Sequence, residues 1–364
     1  MSYEIDESSL ERARALHASS VVLDSHVDTT QYLGPGKRDL TVRNETGHVD
    51  IPRLVEGGVS AVVFAVYGAR PARPGAGIAL VREQLRLIDA MIETHDVFEA
   101  ARTADEVRSA RARGRIAILK AIEGGYLLED DLDMLREVRD AGAIYVTLTH
   151  AFNTSWGDSA GVYETPPPEH GGLTSLGREA VAAMNELGLM VDVSHVSDAT
   201  FRDVLEASEA PVLATHSSCR AVNEHPRNLT DDMMRALAKQ DGVVQLNFSA
   251  PFLDPEFPHI TPAEYQAHWE SGSNEPITDY RSPFARLVEH YLHAIACVGA
   301  GAVGTGSDFD GVAALPAGMG DCSRLPWLTA ALLERDIAEE DLRWILGENF
   351  LRVMTAVQAQ GSPA

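Results

Sequence analysis

The chain has 364 residues, 45% of them hydrophobic, with a net charge of -24 and a pI near 4.8. So acidic a surface repels nucleic acid and anionic membranes, and excludes both as expected partners. Three cysteines, Cys219, Cys297 and Cys322, are too few for a disulfide framework or a Cys-rich zinc module, so a reducing, cytoplasmic setting is expected.

From the N-terminus, residues 1–7 are acidic and lack the apolar core of a secretory signal. Strands are expected at 21–25, 59–67, 116–122, 144–149, 189–194, 211–215, 242–248 and 302–307. Most are short and apolar on both faces, as parallel strands covered on both sides must be. Helical stripes lie between them. Val81, Leu85, Ile88 and Ile92 form one, and Leu132, Leu135 and Val138 another, stopped by Gly142. Ala180, Val181, Met184 and Leu187 precede Gly188, while Met234 and Leu237 follow Thr230 as N-cap. Leu287, Val288, Tyr291 and Ile295 lead into the last strand. Alternating strands and helices imply a parallel sheet with right-handed crossovers. Eight such units predict one (β/α)8 TIM barrel spanning residues 1–364. Two stretches break the pattern: a polar loop at 34–44 and a Pro- and aromatic-containing insertion at 251–283. Both fall on the C-terminal rim of the strands, where they would shape a pocket. No run approaches the roughly 20 apolar residues of a membrane span, and the polar tail 358–364 does not read as a lipid anchor.

Metal-ligand side chains recur at the strand ends: His26 and Asp28, Glu123, His150, His195, His216 and Asp308. Parallel strands ending on one rim bring such groups together, which predicts metal-assisted hydrolysis at a barrel mouth. His26 and Asp28 are two apart and share a face. Lys120 rivals Glu123 as a bridging group, since a carbamylated lysine serves some barrel hydrolases. The two are three apart and so face opposite ways, which favours Glu123. Imidazole and carboxylate without cysteine suit Zn²⁺ better than Mn²⁺ or Co²⁺. Two cations sharing a carboxylate would make a water nucleophilic at neutral pH. Asp308, in Gly306-Ser-Asp-Phe-Asp-Gly311, is either a general base and proton shuttle or a turn acid. A calcium loop fits poorly, because no Glu follows at the required spacing. His150 either hydrogen-bonds a developing oxyanion or packs in the rim. Arg227 either clamps a substrate carboxylate or is a solvated surface arginine.

Taken in order, Leu23-Asp-Ser-His-Val-Asp28, Ala121-Ile-Glu-Gly-Gly125, Leu148-Thr-His-Ala151, Gly171-Gly-Leu-Thr-Ser-Leu-Gly177, Val191-Asp-Val-Ser-His195, Thr215-His-Ser-Ser218, Gly306-Ser-Asp-Phe-Asp-Gly-Val312 and Gly347-Glu-Asn-Phe-Leu-Arg-Val353 resemble the membrane (renal) dipeptidase family of di-zinc peptidases. The resemblance runs over residues 21–357. It implies that His26 and Asp28 hold one zinc, His195 and His216 a second, and that Glu123 bridges them. It further implies that His150 contacts the tetrahedral intermediate, Arg227 the substrate's terminal carboxylate, and that Asp308 shuttles the proton. Dipeptides, including L-Xaa-D-Xaa, are the implied substrates, and a homodimer the implied assembly. The chain departs from the mammalian pattern: secretion signal, lipid anchor and disulfide cysteines are not seen. The insertion also covers the place of a carboxylate-holding tyrosine, for which Tyr265 and Tyr280 are the candidates. Other hydrolases of N-acyl amino acids, cyclic amides or lactones would use the same metals. A non-catalytic ligand-binding barrel would be expected to lack one of the ligands.

Overall fold

The computed structural model describes residues 4–270 and 277–361. Among these residues, nine strands form one parallel sheet: β1 (Leu23–Val27), β2 (Ala61–Val66), β3 (Phe98–Ala100), β4 (Ile116–Glu123), β5 (Ala143–Thr147), β6 (Met190–Asp192), β7 (Leu213–Ser217), β8 (Val243–Leu246) and β9 (Val303–Thr305). Eight follow the barrel order β1-β2-β4-β5-β6-β7-β8-β9. Residues just past β9 close the ring on β1. Val27 bridges Phe309, the Asp308 N–H donates to His26 O at 3.1 Å, and the Asp28 N–H donates to Phe309 O at 2.8 Å. The barrel strands are buried along their length, so their continuous apolar runs are what the doubly covered sheet demands.

The eight expected strands are therefore the eight barrel strands. β3 was not expected. It is three residues long with Phe98 as its one buried side chain, and it lies outside the ring against the start of β4. Phe98-Glu-Ala100 has a single large apolar side chain, so it shows neither the buried apolar run nor the alternation by which the other strands are read.

The helical stripes lie where their spacing puts them. Ala76–Thr94 buries Val81, Leu85 and Ile88, and Ser175–Leu187 buries Ala180, Val181 and Met184. That second helix ends at Gly188, whose φ of 68° is left-handed, as a helix stop of this kind needs. The Thr230 side chain caps Asp231–Lys239 by accepting from the Met233 N–H. The insertion after β8 is less irregular than expected, since Pro262–Glu270 is helical. Its start was written in the sequence as Thr261-Pro-Ala-Glu264. The Thr261 N–H donates to Glu264 at 2.9 Å and the Glu264 N–H returns to Thr261 Oγ1 at 3.2 Å, a capping box. Among the described residues no helix is long and apolar enough to cross a membrane.

Candidate active site

The rim groups converge on Glu123, the last residue of β4. Its Oε1 lies 3.1 Å from His195 Nε2, 3.3 Å from His216 Nε2 and 3.8 Å from His150 Nε2. Its Oε2 lies 3.5 Å from His26 Nε2, which is 4.0 Å from Asp28 Oδ1. His195 Nε2 and His216 Nε2 are 2.9 Å apart. Asp308 joins His26 and Asp28 with ligand atoms within 4.8 Å of one another. All seven side chains are buried. Strand parity decides the face as the period of two requires. Lys120 turns outward, pairing with Asp89 on the helix Ala76–Thr94 and donating to Ala141 O at 2.9 Å.

Three carboxylates this close, out of water, need positive charge. Burial and the Glu123 charge hold Asp28 well above the usual carboxylate range. Burial likewise lifts Asp308 to about 6, with Glu123 adding to it and His26 opposing. Burial alone would lower His26, but Glu123, Asp28 and Asp308 raise it to about 10. Burial makes the other imidazoles poor bases: His150 falls to about 4, His216 to about 3, and His195 well below its ordinary value. His26 Nε2, Asp28 Oδ1 and Glu123 Oε2 are buried without a hydrogen-bond partner among the described residues. Orphaned polar atoms of that kind are costly, and here they point at one another. A cation between them satisfies all three, so the donor set fits a metal.

Two imidazoles are oriented from behind. His26 Nδ1 lies 2.8 Å from the Tyr145 hydroxyl, which donates to the Ser25 carbonyl at 2.9 Å. His216 Nδ1 lies 2.8 Å from Thr215 Oγ1, which donates to Asp192 Oδ2 at 2.7 Å. Each hydroxyl has given its one proton away, so each accepts from an imidazole Nδ1–H. Both Nε2 atoms are thereby turned toward Glu123, where a bound cation would take the place of the proton that the carboxylates favour on His26. The loop after β9 is shaped for close approach. Asp308 and Asp310 sit in left-handed backbone at φ 62° and 68°. A Cβ on Gly311 would collide with both Asp28 and Asp308. Asp310 is tied away from the cluster, accepting from Thr29 at 2.7 Å, Arg38 at 2.6 Å and the His48 N–H at 2.9 Å.

Arg227 is no surface arginine. It is 1% exposed, donates through Nη2 to His216 O at 3.3 Å, and leaves Nε and Nη1 without hydrogen-bond partners among the described residues. Burial lowers it to about 10, while Asp308 and Glu123 oppose the shift. It lines the cleft over the cluster with Tyr67, Tyr163, Phe252 and Tyr265. Of the two candidate tyrosines, Tyr265 therefore reaches the cleft. Tyr280 instead donates to Asp254 Oδ2 at 2.9 Å. Sequence reasoning missed Tyr67, Tyr163 and Phe252. Tyr67 was findable, since it closes β2 as the ligands close theirs, and its ring lies 4.7 Å from that of His150.

The profile of the membrane dipeptidase family, peptidase family M19, matches residues 10–363. The chain is 33% identical to dipeptidase verJ of Clonostachys rogersoniana over 368 residues, spanning 97% of this chain and 88% of that protein. Its fold is similar to that of the probable dipeptidase PvdM from Pseudomonas aeruginosa, with a TM-score of 0.86 at 24% identity over 97% of this chain and 99% of that one. A metallo peptidase from Rhodobacter sphaeroides, liganded with a phosphinate mimic of the dipeptide L-Ala-D-Ala, matches with a TM-score of 0.74 at 27% identity over 93% and 99% of the two chains. A parallel barrel whose rim gathers a cation-seeking carboxylate cluster thus carries this family's sequence from end to end, and the chain belongs to the membrane dipeptidase family of metal-dependent peptide-bond hydrolases.

Proposed function

We propose that the protein is a di-zinc dipeptidase that accepts L-Xaa-D-Xaa substrates. The observation that carries this reading is the division of Glu123. One of its oxygens faces His26, on the Asp28 side, and the other faces His195 and His216. A carboxylate so divided is suited to bridge two cations, one held by His26 and Asp28 and the other by His195 and His216. When bound, two such ions would supply Lewis-acid polarisation of the scissile carbonyl and would lower the pKa of a water from about 15.7 to about 7. The chain's own groups do the rest. Asp308 takes a proton from the attacking water and hands it to the leaving amine. His150, kept neutral by burial, donates a hydrogen bond to the developing oxyanion. Arg227 holds the substrate's terminal carboxylate with its unpaired Nε and Nη1. The Rhodobacter relative, liganded with a mimic of L-Ala-D-Ala, supports the stereochemistry.

Metal analysis of protein expressed with zinc, combined with a screen of dipeptides of both stereochemistries, tests the reading. Close to two zinc equivalents and turnover of L-Xaa-D-Xaa are expected, and metal-free protein under those conditions would sink it. Arg227→Met should raise KM for free dipeptides by roughly 10- to 100-fold, the worth of a charged hydrogen-bonded clamp. C-terminally amidated dipeptides should be far less affected, and equal losses on both would reject the clamp. Tyr145→Phe removes the acceptor behind His26 and should weaken zinc binding by about 10- to 100-fold. Competition against a chromophoric chelator measures this, and an unchanged affinity would remove Tyr145 from that part.

A further inference from the structure

Aromatic side chains, Tyr67, Tyr163, Phe252 and Tyr265, line the cleft together with Arg227. Tyr163 comes from the loop between β5 and the helix Ser175–Leu187, and Tyr265 from the helix Pro262–Glu270. Their ring centroids are 4.8 Å apart. Tyr163 also stands 6.1 Å from Phe252 and, edge-on, 6.4 Å from His225. Phe252 in turn lies 4.5 Å from His225 and carries the Arg227 guanidinium over its face at 5.6 Å. Tyr163, Phe252 and Arg227 therefore form one continuous end to the cleft. Consistent with that position, burial and Asp308 hold the Tyr163 hydroxyl above its usual range while Arg227 opposes them.

The loop that carries Tyr163 is braced on both sides. Before it, the Ala160 N–H donates to His195 O at 2.9 Å and the Ser159 N–H to Asn153 Oδ1 at 2.9 Å. After it, Thr165 Oγ1 donates to Ala160 O at 3.0 Å. The buried Asp158 carboxylate then collects the N–H groups of Glu169, His170, Gly171 and Gly172. A ring on so fastened a loop is a fixed wall.

We propose that Tyr163 is a specificity-determining residue that restricts the enzyme to dipeptides by blocking extension of the substrate beyond its C-terminal residue. The inference rests on the proposed placement of the substrate carboxylate at Arg227. A residue added there advances the backbone by about 3.8 Å, into the space the Tyr163 and Phe252 rings fill. Chain length is then read by the ring's bulk and not by its hydroxyl.

The test compares three substrates: the dipeptide that the unaltered enzyme cleaves fastest, that dipeptide with Gly added at its C-terminus, and with Gly added at its N-terminus. Cleavage is followed by mass spectrometry, and the readout is kcat/KM for each extended peptide relative to the dipeptide. Tyr163→Ala should raise the C-terminal ratio at least tenfold and leave the N-terminal ratio where it was. Tyr163→Phe should leave both ratios at their original values. Tyr163→Ser replaces the alanine variant if circular dichroism shows that variant misfolded. An unmoved C-terminal ratio overturns the proposal. So does an equal rise for both extended peptides, which means a loosened cleft, or a rise with Tyr163→Phe, which means the hydroxyl is the determinant. Comparable cleavage of the C-terminally extended peptide by the unaltered enzyme also overturns it. If the unaltered enzyme cleaves no dipeptide, the dipeptidase reading itself fails, a result separate from all of these.

Discussion

Glu123→Gln is expected to lower kcat/KM at least about a thousandfold and to strip the protein of most of its metal. Replacing one oxygen by an amide nitrogen removes the charge that His26, His195 and His216 all face. A neutral amide also cannot serve two cations as a carboxylate can. Any water that such cations would activate, by lowering its pKa from about 15.7 to about 7, would be lost with them. A thousandfold loss corresponds to about 4 kcal/mol of transition-state stabilisation. The fold should survive, because Gln is nearly isosteric and the surrounding barrel strands are packed independently of the side chain. Metal analysis and steady-state kinetics on the same preparation give the answer. Two retained equivalents with activity within tenfold of the original would rule out the bridge.

Asp308→Asn separates proton transfer from metal binding. It should keep the metal and lose about 10²- to 10⁴-fold in kcat, the usual contribution of a positioned acid or base. The substitution is well matched to its place. Asp308 sits at φ 62°, a left-handed conformation that Asn tolerates better than other non-glycine residues. Its backbone stays tied to the barrel seam by the bond to His26 O. Asn247 Nδ2 donates to Asp308 Oδ2 at 2.9 Å, and the new amide can offer its oxygen to the same donor. What Asn cannot do is take up and release a proton. Near-normal turnover would remove Asp308 from that role, and loss of metal would make it a ligand, as its place beside His26 and Asp28 allows.

Much of the barrel and its rim was legible because the relevant signals are local. Each buried strand is an apolar run a few residues long, and each candidate ligand stands at the end of one. The choice of Glu123 over Lys120 needed only the two-residue period of a strand, and Lys120 does point away, to Asp89. The Gly188 stop and the Thr230 cap were equally local. The capping box at Thr261 and Glu264 was just as plain, yet it lay inside a stretch read as irregular. Arg227 could not be decided from its neighbours in sequence, because burial is a property of what packs over a residue from elsewhere.

By itself the order of amino acids determined the alternation of elements, the parallel barrel and the set of groups that end on one rim, since periodicity and strand polarity are written within a few consecutive residues. Only the folded chain decided how those groups divide around Glu123, how Phe309 closes the ring beside His26, and which hydroxyls stand behind the imidazoles. It also decided that Tyr163 and Tyr265, about a hundred residues apart in sequence, meet ring against ring, tilted, in the lining of the cleft. Such contacts join distant segments through the closure of the barrel, and no local pattern records which distant partner a side chain will meet.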